Sequence, residues 1–201
     1  FANPASLGAG TDWQDVVFRD APIANVQLSA SGGSDQFLYN VSANYFDQTG
    51  ILKDSRYDRL TFRVNNEYKL NPYVKLGNNL SFSNVNSQNP PGVIGSALRM
   101  PPVFGERDSL GNFSDPTFFG TAIANPAADL FYKDRNFSKG NRLVGTVYAD
   151  ITLFKHFTFR SNFGLDQAYI NTKNYEPKFE VSISQRNGED RLSVGSVQRR
   201  T

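Results

Sequence analysis

Residue types that do chemistry are few in this chain and do not cluster. A single histidine, His156, sits in a short KHF stretch, and cysteine is absent. No His-based triad, His-cluster metal site or disulfide can therefore be assembled from these residues. No glycine-rich segment matches a phosphate loop or a dinucleotide fingerprint. The acid pairs Asp12/Asp15 and Glu189/Asp190 fall in loop-like sequence, where carboxylates are usually solvated ends. Asp47, Asp54 and Asp58 flank one loop and are a candidate cation site. A formal charge of +2 argues neither for nucleic acid nor for a strongly acidic ligand. The reading is of a non-enzyme without cofactor, metal or nucleic-acid partner.

The more telling charges are Arg63, Glu67, Lys69, Asp150, Arg160 and Asp166, because each falls in a strictly alternating segment. Phe37, Tyr39, Val41, Ala43 and Tyr45 alternate with Leu38, Asn40, Ser42, Asn44 and Phe46. Leu60, Phe62, Val64, Tyr68 and Leu70 alternate with Thr61, Arg63, Asn65, Glu67 and Lys69. Val74, Leu76, Leu80 and Phe82 alternate with Lys75, Gly77, Asn79, Ser81 and Ser83. A period of two held through three segments predicts strands with one apolar and one polar face. Each runs about 12–14 residues, against about 5–6 for a typical soluble strand. Strands that cross a bilayer at a tilt need about 9–11 residues, so these are long enough to span one. Seventeen Phe and nine Tyr suit strands and interfacial girdles. No run approaches the roughly 18 apolar residues of a helical span.

Residues 1–20 read as a loop with a short helical turn around Trp13–Phe18, and Trp13 is a candidate stacking platform for a sugar ring. The first strand follows from Pro22 to Ser31, and GGSDQ (32–36) reads as a tight turn in which Gly32 and Gly33 supply positive φ. Segment 88–138 holds six of the ten prolines and reads as one long loop. Within it, GVIGSALRM is expected to make two helical turns stopped by Pro101-Pro102, and DSLGNF a small hairpin. NPAADLFY is expected to start a helix with Asn125 as cap and Pro126 at its first position. Phe104, Phe113, Phe118 and Phe119 are its candidate ligand contacts, against packing of the loop on itself. Strands resume over 139–154 and from Phe157, and EVSISQR with DRLSVGSVQ, joined by NGED (187–190) with its Asn-Gly turn signal, predict a last hairpin. That makes about eight strands. GGSDQ, NPY and KHF are short connections, whereas TGILKDSRYD and 88–138 are long. Outer-membrane barrels show that alternation of short periplasmic turns and long outer loops. Aromatics beside the short turns (Tyr73, Phe154, Phe157) stand where an interfacial belt belongs.

The runs TDWQDVVFRDAPIANVQLSASGGSDQFLYNVSANYFDQTGIL (11–52), YDRLTFRVNNEYKLNPYVKLGNNLSFS (57–83) and KGNRLVGTVYADITLFKHFTFRSNFGLD (139–166) closely resemble the SusC/RagA family of TonB-linked outer-membrane proteins. The resemblance implies part of a large barrel of about 22 strands, all-β, antiparallel and up-and-down, with long extracellular loops. It also implies a SusD-like surface lipoprotein as partner, energy relayed by TonB through a plug, and import of glycans or peptides. Residues 1–21 would then be an extracellular loop, 22–87 strands, 88–138 a long extracellular loop and 139–201 strands. The plug and TonB box are absent from this sequence, and a chain that starts and stops in mid-pattern is expected to be one piece of a barrel that needs its remaining strands and surrounding lipid. Arg63, Arg160 and Asp166 are then lumen-lining candidates for substrate contact, beside Trp13, Phe104, Phe118 and Phe119. Two alternatives stand next to this reading. One is a soluble β-sandwich that binds carbohydrate, with its apolar face buried on a second sheet. The other is a structural or secretion-associated barrel component that moves no nutrient.

Overall fold

The structure is a computed structural model that describes residues 8–120, 122–154 and 157–201, with Phe118 and Phe119 described by backbone alone. Lys155 and His156 of the KHF turn lie outside the described residues. The strands are β1 (Ile23–Gly33), β2 (Phe37–Thr49), β3 (Arg56–Asn71), β4 (Val74–Gln88), β5 (Arg135–Leu153) and β6 (Phe157–Glu176). Two-residue strands β7 (Phe179–Glu180) and β8 (Arg186–Asn187) come next, followed by β9 (Arg191–Arg200). Seven strands form one antiparallel sheet in the order β1-β2-β3-β4-β5-β6-β9, while β7 and β8 pair only with each other. The sheet is up-and-down and open, with one side of β1 and one side of β9 unpaired among the described residues.

Register turns the alternation of single strands into two continuous faces. Val41 pairs with Val64, which pairs with Leu80. Ala43, Phe62, Phe82 and Leu143 form the next row. On β2 the apolar set runs from Phe37 to Tyr45, about 27 Å of strand at about 3.4 Å per residue. At a tilt of about 40° that projects to about 21 Å, close to the apolar band of about 25 Å on membrane barrels. Its side chains are open to the surroundings: Phe163 is 69% exposed, Phe159 59% and Phe62 46%. Water-soluble monomers rarely expose such a contiguous patch, and no second sheet covers it among the described residues. This arrangement overturns the β-sandwich alternative. Aromatics gather at the short-turn end, where Tyr73, Phe154 and Phe157 are all exposed, and Phe37 lies 6.4 Å from Tyr68, edge to face.

Strands β5 and β6 reach 19 and 20 residues, longer than their alternation predicts. Beyond the apolar band both faces become polar, so the hydrophobic pattern fades while the backbone ladder continues through Arg135↔Tyr175. At the opposite end the turns are made by side-chain oxygens. Ser34 Oγ accepts from the N–H groups of Gln36 and Phe37 at 3.3 and 3.2 Å. Asn71 Oδ1 accepts from those of Tyr73 and Val74 at 2.9 and 3.0 Å. Gly32 and Gly33 are not among the positive-φ residues, so the turn does not use them as expected. They end β1 in paired, extended form, and a Cβ on Gly33 would come within 2.4 Å of the Phe37 carbonyl oxygen.

The predicted last hairpin does not form. Segment 181–185 is irregular, Asn187 is buried and donates through Nδ2 to the Pro177 carbonyl at 3.1 Å, and β9 pairs along β6 from Gln167↔Arg200 to Glu176↔Arg191. The long ladder of β6 offers β9 more backbone pairs than the short EVSISQR arm does.

Candidate functional site

The polar face of the sheet carries its charges in cross-strand pairs. Asp150 faces Lys75 on one side and Arg160 on the other. Arg160 donates Nε and Nη2 to the two Asp150 oxygens, each at 2.6 Å. Eight residues back along β5, Arg142 grips Asp166 in the same two-pronged manner at 2.9 and 2.7 Å. Lys75 reaches Glu67 at 3.6 Å. Tyr148 Oη donates to Glu67 at 3.4 Å, and the Arg160 guanidinium lies 4.8 Å from the Tyr148 ring centre. Four strands are thus bridged by one network with balanced charge. Arginine suits these pairs because its planar fork meets both carboxylate oxygens at once.

Gly77 makes room for this network. A Cβ there would come within 2.1 Å of Tyr148 Cζ, so the ring lies directly across the glycine. Gly77→Val is expected to push Tyr148 off Glu67 and to cost about 1–3 kcal/mol through overpacking. The check is the urea midpoint of the full-length barrel in lipid vesicles. An unchanged midpoint would show that the ring has another place to go.

A second polar recess of about 200 Å³ lies nearer β1, lined by Asn25, Gln27, Asn44, Arg59, Thr61 and Arg63. Asn44 Nδ2 donates to Asn25 Oδ1 at 2.7 Å. Arg63 opens into this recess, so the three charged residues expected to contact substrate, Arg63, Arg160 and Asp166, stand on one wall with Glu67, Lys69 and Asp150. The structure adds Arg142, Lys75 and Tyr148. Their alternation was visible in the sequence, but their partners required the register.

Over the long-loop end the connections fold into a small cap with its own core. Helix α1 (Trp13–Val17) is capped by Asp12, whose carboxylate accepts from the N–H groups of Gln14 and Asp15. Helix α2 (Ile94–Arg99) stops before Pro101. Helix α3 (Pro126–Tyr132) carries Asn125 as cap and proline in its first turn, as its sequence predicts. Asp108 Oδ1 accepts from the N–H groups of Leu110 and Asn112 at 2.8 and 2.9 Å, which closes the expected small turn with a bridge between Arg107 and Phe113. Trp13, Val17, Val93, Ala97, Met100, Phe104, Phe113, Ala128 and Leu130 pack together as the cap core. Gln185 joins the 177–190 loop to it: its side-chain amide and the Asn125 backbone exchange two hydrogen bonds, both 2.8 Å.

This packing corrects two expectations. Trp13 is 3% exposed and Phe104 8%, and Trp13 Nε1 donates to the Pro101 carbonyl at 3.2 Å. Neither ring is presented to a ligand; both hold the cap together. The side chains of Phe118 and Phe119 lie outside the described residues. The acids around 47–58 do not make a cation site. Arg56 binds Asp47 at 3.2 and 3.1 Å, Asp58 accepts from Asn86 at 2.8 Å, and no metal-ligating cluster is found among the described residues.

No family model matches the chain. It is 30% identical to the TonB-dependent receptor P26 of Formosa agariphila, over 83% of this chain and 17% of the receptor. It is 32% identical to the TonB-dependent receptor SusC of Bacteroides thetaiotaomicron, over 73% of this chain and 17% of SusC. The fold matches a solved structure of the RagAB peptide importer in its closed-closed state. The TM-score is 0.71 at 25% identity, over 85% of this chain and 20% of that one. This chain is a barrel segment of the SusC/RagA type. A SusC/RagA barrel belongs in the outer membrane, and its exposed apolar face is accordingly the lipid-facing one. The open sheet follows for the same reason. The segment spans only 17% of the length of each of these two receptors, and unpaired strand edges are not tolerated in lipid. In the SusC/RagA setting the paired charges face the inside of the barrel, and the cap sits over one end.

Proposed function

We propose that this segment is part of the lumen wall and outer mouth of a TonB-dependent importer that takes up glycans or peptides together with a SusD-like lipoprotein. The observation that carries this reading is the pairing of charges on the polar face. Arg142 with Asp166 and Arg160 with Asp150 neutralise their part of a hydrated wall, along which an uncharged or zwitterionic polymer can slide, while Arg59 and Arg63 leave the recess nearer β1 basic. In this reading the short turns face the periplasm. Residues 1–21 and 88–138 belong to the outside, and β1, β3 and β5 run inward while β2, β4 and β6 run outward. The SusD-like lid would close over the cap, and TonB would act through a plug elsewhere in the receptor. Arg63, Arg160 and Asp166, with Phe118 and Phe119 at the mouth, are the proposed substrate contacts. The resemblance to receptors named TonB-dependent and to a structure described as a peptide importer supports import over a structural role.

The test is deletion of the gene that encodes this segment, with growth measured on single glycans and on oligopeptides as sole carbon source. Loss of growth on one polymer class, restored by the gene, is the expected result. Unchanged growth and uptake on every substrate would favour a barrel component that moves no nutrient. Purification of the tagged full-length receptor should bring a surface lipoprotein with it.

A further inference from the structure

The lipid-facing side does not end evenly. Leading up β4 from the apolar band, Phe82 gives way to Asn84, Asn86 and Gln88, and along β5 Leu143 gives way to Asn141 and Lys139. On β6 the outer face passes from Leu165 through Gln167, Tyr169 and Asn171 to Lys173. Asn84 donates to Asn141 at 2.7 Å, so an amide row marks the border. Just beyond it stand two exposed lysines, Lys139 and Lys173. Lys139 pairs in register with Asn171, and Phe137 with Lys173, so the lysines are diagonal neighbours on one face, about 7–8 Å apart at their bases. Neither has a carboxylate within ion-pair distance among the described residues. Of the other cations on this face, Arg56 is held by Asp47, Arg135 lies against Asp134 and the Tyr175 ring, and Arg200 stands lower, opposite Gln167. Beside Lys139 the face is indented by a cavity of about 130 Å³ lined by Arg56, Asp58, Asn86, Gln88, Phe137 and Lys139.

Height selects the ligand. Lys139 lies four residues beyond Leu143, about 13 Å of strand, or about 10 Å along the membrane normal at barrel tilt. That is the headgroup layer, where a pair of free ammonium groups meets phosphate. Tyr169, below them on the same face, is placed as an interfacial aromatic.

We propose that Lys139 and Lys173 form a binding site for the phosphorylated headgroup of a glycolipid in the outer leaflet, with both ammonium groups on one phosphate. The site rests on the orientation given above, in which the cap end faces outward, but not on import. The test uses the full-length receptor, extracted from outer membranes in mild detergent, washed exhaustively and examined by native mass spectrometry. The wild type is expected to retain a phosphorylated glycolipid, and a Lys139→Gln/Lys173→Gln double variant to retain at least fivefold less. Lys139→Arg/Lys173→Arg is expected to restore retention. Lys75→Gln, on the lumen side, serves as a control that leaves it unchanged. Equal retention by the wild type and the double glutamine variant would overturn the site. Retention of an ordinary phospholipid instead would overturn its outer-leaflet placement. A receptor that holds the glycolipid yet imports nothing would leave this site standing and remove the import reading.

Discussion

Val64→Arg in the full-length barrel is expected to cost about 2–4 kcal/mol of stability, the cost of an arginine near the bilayer midplane. Val64 sits half-way along the apolar band, between Val41 and Leu80. Asn65, the next residue, lies between Asn40 and Asn79 on the opposite face, and Asn65→Arg is expected to change stability by no more than about 0.5 kcal/mol. Urea unfolding in lipid vesicles reads both. The contrast is informative because adjacent residues share every property of position except the face. Equal costs at the two sites would mean that one side of the sheet is no more lipid-facing than the other.

Trp13→Ala is expected to remove about 3–5 kcal/mol from the cap, the usual cost of deleting a buried tryptophan. The indole fills the core between α1, α2 and the Pro101-Pro102 segment, and its truncation also leaves the Pro101 carbonyl without its donor. Because the cap core and the sheet are held by different contacts, the loss should stay local. Limited proteolysis should open cleavage sites within 88–134, while the barrel keeps its heat-dependent shift on gels. An unchanged cleavage pattern would show that Trp13 does not hold the cap. If the barrel signature disappears as well, cap and sheet fold as one cooperative unit.

Local features were legible in the residues because their causes are local. Asn125-Pro126 announces a helix start, since a side-chain acceptor followed by a residue lacking an N–H satisfies the first turn. Asp108 and Asn71 announce turns for a related reason: a short side-chain oxygen can accept from backbone N–H groups two or more residues on. Where such a signal competed with longer-range pairing, it lost. Asn187-Gly188 has the composition of a hairpin turn, but the ladder along β6 recruited β9. Similarly, Gly32 and Gly33 were absorbed into β1, with Ser34 making the turn.

Alternation of side chains in Phe37–Tyr45, Leu60–Leu70 and Val74–Phe82 was enough to establish two-faced strands of membrane-spanning length. A strand sends successive side chains to opposite faces whatever it pairs with. Pairing itself was another matter. Arg142 meets Asp166 across 24 residues, Tyr148 meets Glu67 across 81, and Trp13 meets Pro101 across 88. Contacts between residues so far apart depend on register and on how loops fold back, neither of which is set by neighbouring residues. For that reason the tertiary structure alone decided that Trp13 is core rather than platform, and that Arg142 pairs with Asp166 and Arg160 with Asp150 on the inner wall.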